Sequence, residues 1–279
     1  MTVSRNQRLV VWLMLSWFSI IFLMPLVWIG ITSVKPEAEI YDVQNFQILP
    51  RNATLDHYSH VFSQLEDFPV YCFNTAKITG ITVIAVMFVS ATCGYALAKL
   101  SFPGKPAFLG FMLGIMAIPW MVMLTPIYQM EIAFGLLNTL PGLILPYTAM
   151  FLPISILIMR SAFIAVPDDL RQAAQIDGAS EFRIWWSIML PITQPSLVVV
   201  ALMTFLACWK EYTYAVTLNS LPSATTLAVG ITYLKDEAQS WAFGTLSAAI
   251  MIVAIPLVFV FLFLQRRIID GLSEGALKG

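Results

Sequence analysis

Residues 164–195 read IAVPDDLRQAAQIDGASEFRIWWSIMLPITQP and form a polar interruption between two long apolar stretches. Pro167 suits the first turn of a helix, Asp168 and Asp169 complement its positive N-terminal end, and Gly178 after Asp177 supplies a stop. Ser180 offers an N-cap to a second helix through Phe182, Ile184, Trp185, Trp186 and Ile188, which Leu190-Pro191 ends. The segment therefore predicts a helix, a glycine turn and an amphipathic helix on one side of a membrane. On the first helix Leu170, Ala173, Ala174 and Asp177 share a face, and small side chains there let a partner's backbone or cleft come close. Periodicity alone is equally compatible with an interfacial elbow that only joins two spans.

Outward from this segment, composition sets the class. The chain has 279 residues, 59% of them hydrophobic and 11% charged, against a usual balance of half apolar and a quarter charged. A bilayer core of roughly 30 Å takes about 20 mostly apolar helical residues per crossing. Six runs qualify, at 10–32, 74–98, 108–130, 140–163, 196–217 and 243–265, and predict an all-α, polytopic single membrane domain over 1–279. The apolar run after Arg5 and Arg8 continues to Val34 without a small-residue cleavage site, which favours a first span over a signal peptide.

An even number of spans puts both termini on one side. With that side inside, the inner segments hold Arg5, Arg8, Lys99, Lys105, Arg160, Arg171, Arg183, Arg266, Arg267 and Lys278, which is 10 of the 15 basic residues. Lys35, Arg51, Lys77, Lys210 and Lys235 fall outside. The bias predicts cytoplasmic termini and places 164–195 in the cytoplasm. A net charge of -1 provides no basic field for nucleic acid. Cys72, Cys93 and Cys208 are widely spaced in apolar surroundings, fit neither a disulfide framework nor a zinc pattern, and read as packing residues.

The outer connection, Pro36 to Phe73, has mixed polarity and predicts short interfacial helices, with His57 and His60 as solvated surface residues and no metal-ligand cluster. In the fifth span Lys210 and Glu211 break the apolar run. Counted from Ser196 at 1.5 Å per residue, Lys210 stands about 21 Å up a continuous helix. Ionisable groups at such depth face a bundle interior, a wet path or a partner, so Trp209, Lys210, Glu211, Tyr212 and Tyr214 are candidates for a solute pathway, with aromatic faces to stack on sugar rings. The competing reading has Lys210 snorkelling outward beside an interfacial aromatic belt. Pro25, Pro119, Pro126, Pro146, Pro153 and Pro256 are candidate kinks.

The run Gln172-Ala173-Ala174-Gln175-Ile176-Asp177-Gly178-Ala179, followed by Ile188-Met189-Leu190-Pro191, closely resembles the EAA signature of permease subunits of binding-protein-dependent ABC importers. Gln172 stands where that family usually has glutamate. Phe102-Pro103-Gly104-Lys105, Gly135-Leu136-Leu137-Asn138-Thr139, Gly142 through Tyr147 and the terminal Gly275-Ala276-Leu277-Lys278-Gly279 look like the carbohydrate branch. The resemblance implies the type I importer permease fold, with a cytoplasmic coupling helix docked on an ATP-hydrolysing partner through Gln172, Ala173, Ala174, Asp177, Gly178 and Ala179. It implies two ATPase subunits carrying the ATP and Mg, a second permease, generally an unlike chain, and an extracytoplasmic solute-binding protein. Gly230 and Tyr233 fall where related permeases reach toward that protein. A glutamine can hydrogen-bond but forms no ion pair with an arginine of the partner, so Asp169 or Asp177 is left to supply the charge that Gln172 lacks. Lys210 occupies a position where similar permeases tend to have asparagine.

The chain has no phosphate-binding G-x-x-x-x-G-K-[ST] loop, so a pump reading needs a separate ATPase. It also lacks H-E-x-x-H and an intramembrane carboxylate pair, which counts against a membrane-embedded enzyme. An ion-coupled carrier would show inverted repeats and midplane acids, and Glu211 alone approaches that pattern.

Overall fold

The computed structural model describes residues 5–42, 44–234 and 242–276; Lys235, Leu277, Lys278 and Gly279, named above, lie outside the described residues. Among the described residues every regular element is helical. The chain falls into two compact units, one of residues 1–69 with 230–256 and the other of residues 70–229 with 257–279.

In the first unit α1 (Arg5–Thr32) is one apolar helix with Pro25 inside it and its side chains outward, as expected of a surface with only lipid or another apolar helix to meet. The following connection contains two short helices, α2 (Glu37–Ile40) and α3 (Asp56–Gln64). His57 on α3 departs from the surface placement its sequence predicted. It is 3% exposed, with Nε2 2.7 Å from the Lys35 carbonyl oxygen and Nδ1 3.4 Å from Thr245 Oγ1. With both ring nitrogens satisfied its burial costs little. The ring lies so close over Gly244 that a Cβ there would stand 2.1 Å from Cε1. Lys35 is buried too: its Nζ donates to the Gln47 carbonyl and sits 5.6 and 5.5 Å from the Trp28 and Phe46 ring centroids. His60 is exposed as expected.

The second unit is built on α4 (Phe68–Lys99) and α7 (Pro141–Ala165), which correspond to the runs 74–98 and 140–163. Pro146 and Pro153 are accommodated inside α7 without ending it. A Cβ on Gly94 of α4 would sit 2.8 Å from Met159 Cβ and 2.9 Å from Arg160 N of α7, so the two helices approach at a distance only glycine permits.

The run 108–130 is not one straight crossing. It divides into α5 (Lys105–Met116), a 3₁₀ turn Trp120–Met123 and α6 (Leu124–Phe134), with a bend of 92° between the halves. Pro119, with φ -59° and ψ 126°, is the cause, because a proline removes a helical N–H and pushes the preceding residue out of helical geometry. The run 196–217 is interrupted as well. Helix α11 (Gln194–Trp209) stops at Lys210, and a separate α12 (Thr213–Leu218) follows, so Lys210 sits at an exposed helix end instead of part-way up a continuous helix.

Segment 164–195 forms α8 (Asp168–Ile176), α9 (Glu181–Ile184), a π-helical turn Trp185–Met189 and α10 (Leu190–Ile192) before α11. Pro167 precedes α8 as its N-cap instead of opening its first turn. Leu190-Pro191 does not end the second helix as predicted. The π turn, in which Leu190 N–H reaches back to the Trp185 carbonyl, widens the helix just ahead of a proline that has no N–H to give, and the helix runs on to Ile192. The chain completes with α13 (Leu227–Gly230) and α14 (Phe243–Ala276). Four described helices are long and apolar enough to cross a bilayer, and the total is six if each of two bent pairs, 105–134 and 181–209, is one span.

Candidate functional site

Two features of the second unit concentrate its polar and aromatic side chains. The first is the loop 164–195. Helix α8 ends in a Schellman turn: Gly178, at φ +80°, donates to the Gln175 carbonyl and Ala179 donates to the Ala174 carbonyl. Ser180 then accepts from Arg183 N–H at 3.4 Å, the N-cap the sequence predicted. The turn folds α9 back on α8, and Ala174, Ile184, Trp185 and Met189 join Tyr95 and Phe163 in one buried cluster.

That burial divides the predicted face. Ala174 is 8% exposed and faces the chain's own helices, with Ala179 packed against the same cluster. Gln172, Ala173, Asp177 and Gly178 are exposed. Ile176, which the sequence reading left out of the docking set, is 86% exposed. Asp169, Gln172, Ala173 and Ile176 follow the i, i+3, i+4, i+7 spacing of one helix face, so the outward surface of α8 is an apolar knob flanked by an amide and a carboxylate.

The loop is braced by charge. Lys99 donates to the Asp168 carboxylate and, at 2.7 Å, to the Val166 carbonyl. Glu181 accepts from Arg171, from Gln175 at 2.7 Å and from the Tyr95 hydroxyl at 2.7 Å. The Lys99 ammonium holds the Asp168 carboxyl below the usual aspartate range, and the Arg171 guanidinium does the same for Glu181. Depressed carboxyl values mean that both tethers are fully formed at neutral pH and are lost only as acidification passes through the lowered values.

The second feature is a cleft of about 560 Å³ bordered by the bend of α5–α6, α7 and α12, with Ile118, Trp120, Tyr147, Met150, Pro153 and Tyr214 in its wall. The two helix breaks serve each other here. Glu211, in the gap before α12, accepts from the N–H groups of Tyr214 (2.9 Å) and Ala215 (3.1 Å) and from the Tyr147 hydroxyl, so its carboxylate caps a helix start that would otherwise leave free donors. The Tyr214 hydroxyl donates at 2.6 Å to the Trp120 carbonyl, freed by the other bend, and the two rings stack at 5.3 Å. Irregular backbone at membrane depth persists where it is satisfied in this way and lines a cavity. Of the five pathway candidates, Tyr214 is in the cleft wall and Glu211 supports that wall through Tyr147. Trp209 is buried against Phe205, while Lys210 and Tyr212 are exposed outside the wall. Trp120 and Tyr147 were missed; the Ile118-Pro119-Trp120 string carried the signal, a proline break followed at once by an aromatic.

Residues 90–274 match the family described as the binding-protein-dependent transport system inner membrane component, and this match spans the loop, the cleft and the helices between them. The chain belongs to that family. It is 33% identical to the trehalose transport system permease protein SugB of Mycobacterium tuberculosis, over 92% of this chain and 93% of that protein. It is 32% identical to the trehalose/maltose transport system permease protein MalG of Thermococcus litoralis, over 94% of this chain and 93% of the relative. Among solved structures, the fold superposes on a chain of a bacterial ABC transporter that imports the acidic polysaccharide alginate. The TM-score is 0.82 at 22% identity, over 95% of this chain and 99% of the other. This inner membrane component is thus a multi-pass, all-α transport permease with the type I importer fold, and its own role is in transport, not catalysis.

Proposed function

We propose that the chain is the membrane-spanning subunit of an ATP-driven importer for a sugar or sugar-like solute, and that α8 is its coupling helix. The observation that carries this reading is the outward surface of α8, where Ile176, Ala173 and Gln172 stand exposed on a loop whose other side is fixed to α4 and α7. An exposed apolar side chain on a rigid polar loop fits a groove on a partner. ATP and Mg belong to two separate ATPase subunits, since this sequence has no phosphate-binding loop of its own. A second permease chain completes the route and an extracytoplasmic binding protein delivers the solute. Both termini and the loop are cytoplasmic, in accord with 10 of 15 basic residues falling on that side.

The docking set is Gln172, Ala173, Asp177 and Gly178 together with Ile176, while Ala174 and Ala179 hold the helix at its level from behind. Asp169, one turn before Gln172 on the same face, supplies the carboxylate that the family's usual glutamate would provide. The aromatic cleft of Trp120, Tyr147 and Tyr214 is the part of the solute route this subunit contributes, with Glu211 supporting its wall through Tyr147. Flat apolar rings suit the faces of a pyranose, and the names of the two relatives described above, a trehalose and a trehalose/maltose transport system permease protein, agree.

Uptake of radiolabelled trehalose and maltose by cells bearing the complete transporter tests the mechanism. Substitution of the phosphate-binding lysine in the partner ATPase is expected to abolish uptake, and collapse of the ion gradient at constant ATP is expected to leave it unchanged. Uptake that follows the gradient and ignores the ATPase would establish a secondary transporter instead.

A further inference from the structure

The bonds bracing loop 164–195 are unevenly distributed among the spans. Tyr95 and Lys99 both belong to α4, one turn apart, and they grip the loop at two places: Tyr95 at Glu181, just past the Gly178 turn, and Lys99 at Val166 and Asp168, where α8 begins. Glu181 is the centre of this arrangement. It receives Arg171 and Gln175, residues i and i+4 of α8, on the edge of the helix away from the docking face, and passes their hold to Tyr95. Tyr95 is 5% exposed, and its ring meets Phe163 of α7 edge-on at 5.5 Å. The route into α11 is of a different kind, running through the π turn of Trp185–Met189 and a backbone break at Thr193, with a bend of 77° between the two helical runs. A force along that path meets a joint, whereas the path into α4 is a set of short, charge-assisted bonds.

We infer that Glu181 is the positioning residue through which displacement of α8 is delivered to α4, so that α8 and the adjoining end of α4 move as one body while the bend before α11 absorbs the difference. This rests on the coupling-helix reading above and assigns its mechanical output. Tyr95→Phe removes a single hydroxyl and keeps the ring against Phe163. Glu181→Gln keeps an acceptor for Tyr95 but loses the charge that draws in Arg171.

The test is the distance between nitroxide labels at Leu170→Cys, on α8 but off its docking face, and Phe88→Cys on α4. It is measured in the complete complex, with Cys72, Cys93 and Cys208 replaced, in the nucleotide-free and ATP-trapped states. In the parent the distance is expected to hold within about 2 Å between the states, the scale of small interface shifts. Tyr95→Phe and Glu181→Gln are each expected to widen or shift it beyond that, with the double variant no worse than the worse single, because both act in one path. A parent distance that itself changes on ATP trapping, or variants with the parent's distribution, would overturn the inference while leaving docking intact. Failure of the ATPase subunits to co-purify with the parent would overturn the docking reading, and this inference with it.

Discussion

Ile176→Lys is expected to reduce ATP-driven uptake roughly thirty-fold or more while leaving the permease folded and inserted. Ile176 is 86% exposed at the last position of α8, one residue before the Asp177 cap, and has no packing role inside the chain. A lysine there leaves the Schellman turn and the buried Ala174 side untouched, so the fold has no reason to respond. The partner groove does respond. Removing an apolar anchor from the centre of an interface typically costs about 2 kcal/mol or more, equivalent to a thirty-fold loss of affinity, and burying an ammonium adds to that. Co-purification of the ATPase subunits and uptake in the same cells measure the two effects together. Leu170→Lys, on the same helix at 44% exposure but off the Asp169–Ile176 face, is the matched control and is expected to retain most activity.

Gly94→Ala is expected to destabilise the permease by about 1–3 kcal/mol, the usual range for overpacking a close contact. The added methyl would meet the Met159 side chain at its root and the Arg160 main-chain nitrogen, neither of which can rotate away, so α4 and α7 must separate. That separation would loosen the Tyr95–Phe163 contact one residue along α4. Thermal unfolding in detergent should show a midpoint lowered by about 2–4 °C per kcal/mol. Gly110→Ala on α5, where an added Cβ has nothing within 4 Å, should be neutral or slightly stabilising because alanine is the better helix former.

Hydropathy located the apolar segments because burying a helical backbone in lipid requires long apolar runs, whatever the packing. Windowed hydropathy is blind to direction, however, which is why 108–130 reads as one crossing although Pro119 turns it through 92°. The fifth run fails for a different reason. Lys210 and Glu211 look like charges carried on a continuous helix, but Glu211 gains more by capping α12 and accepting from Tyr147, and that gain depends on α7, some 60 residues away in sequence. His57 was hidden in the same way, since its burial depends on the Lys35 carbonyl and the bare backbone of Gly244, neither of which lies near it in the chain. In the loop, local chemistry was sufficient for the Ser180 cap and the Gly178 stop. The outward face was not legible, because spacing groups Ala174 with Ala173, and only the packing of Tyr95 and Phe163 decides that Ala174 turns inward and Ile176 outward.

The most direct measurement is the reactivity of Gln172→Cys, in a background without the native cysteines, toward a hydrophilic maleimide applied to inside-out membrane vesicles with and without the ATPase subunits. The exposed face of α8 should label readily in the permease alone and become protected at least about ten-fold when the ATPase is bound, as expected for a site sealed within a packed interface. Equal labelling in both preparations would contradict the account, because α8 would then be facing solvent while the transporter is assembled.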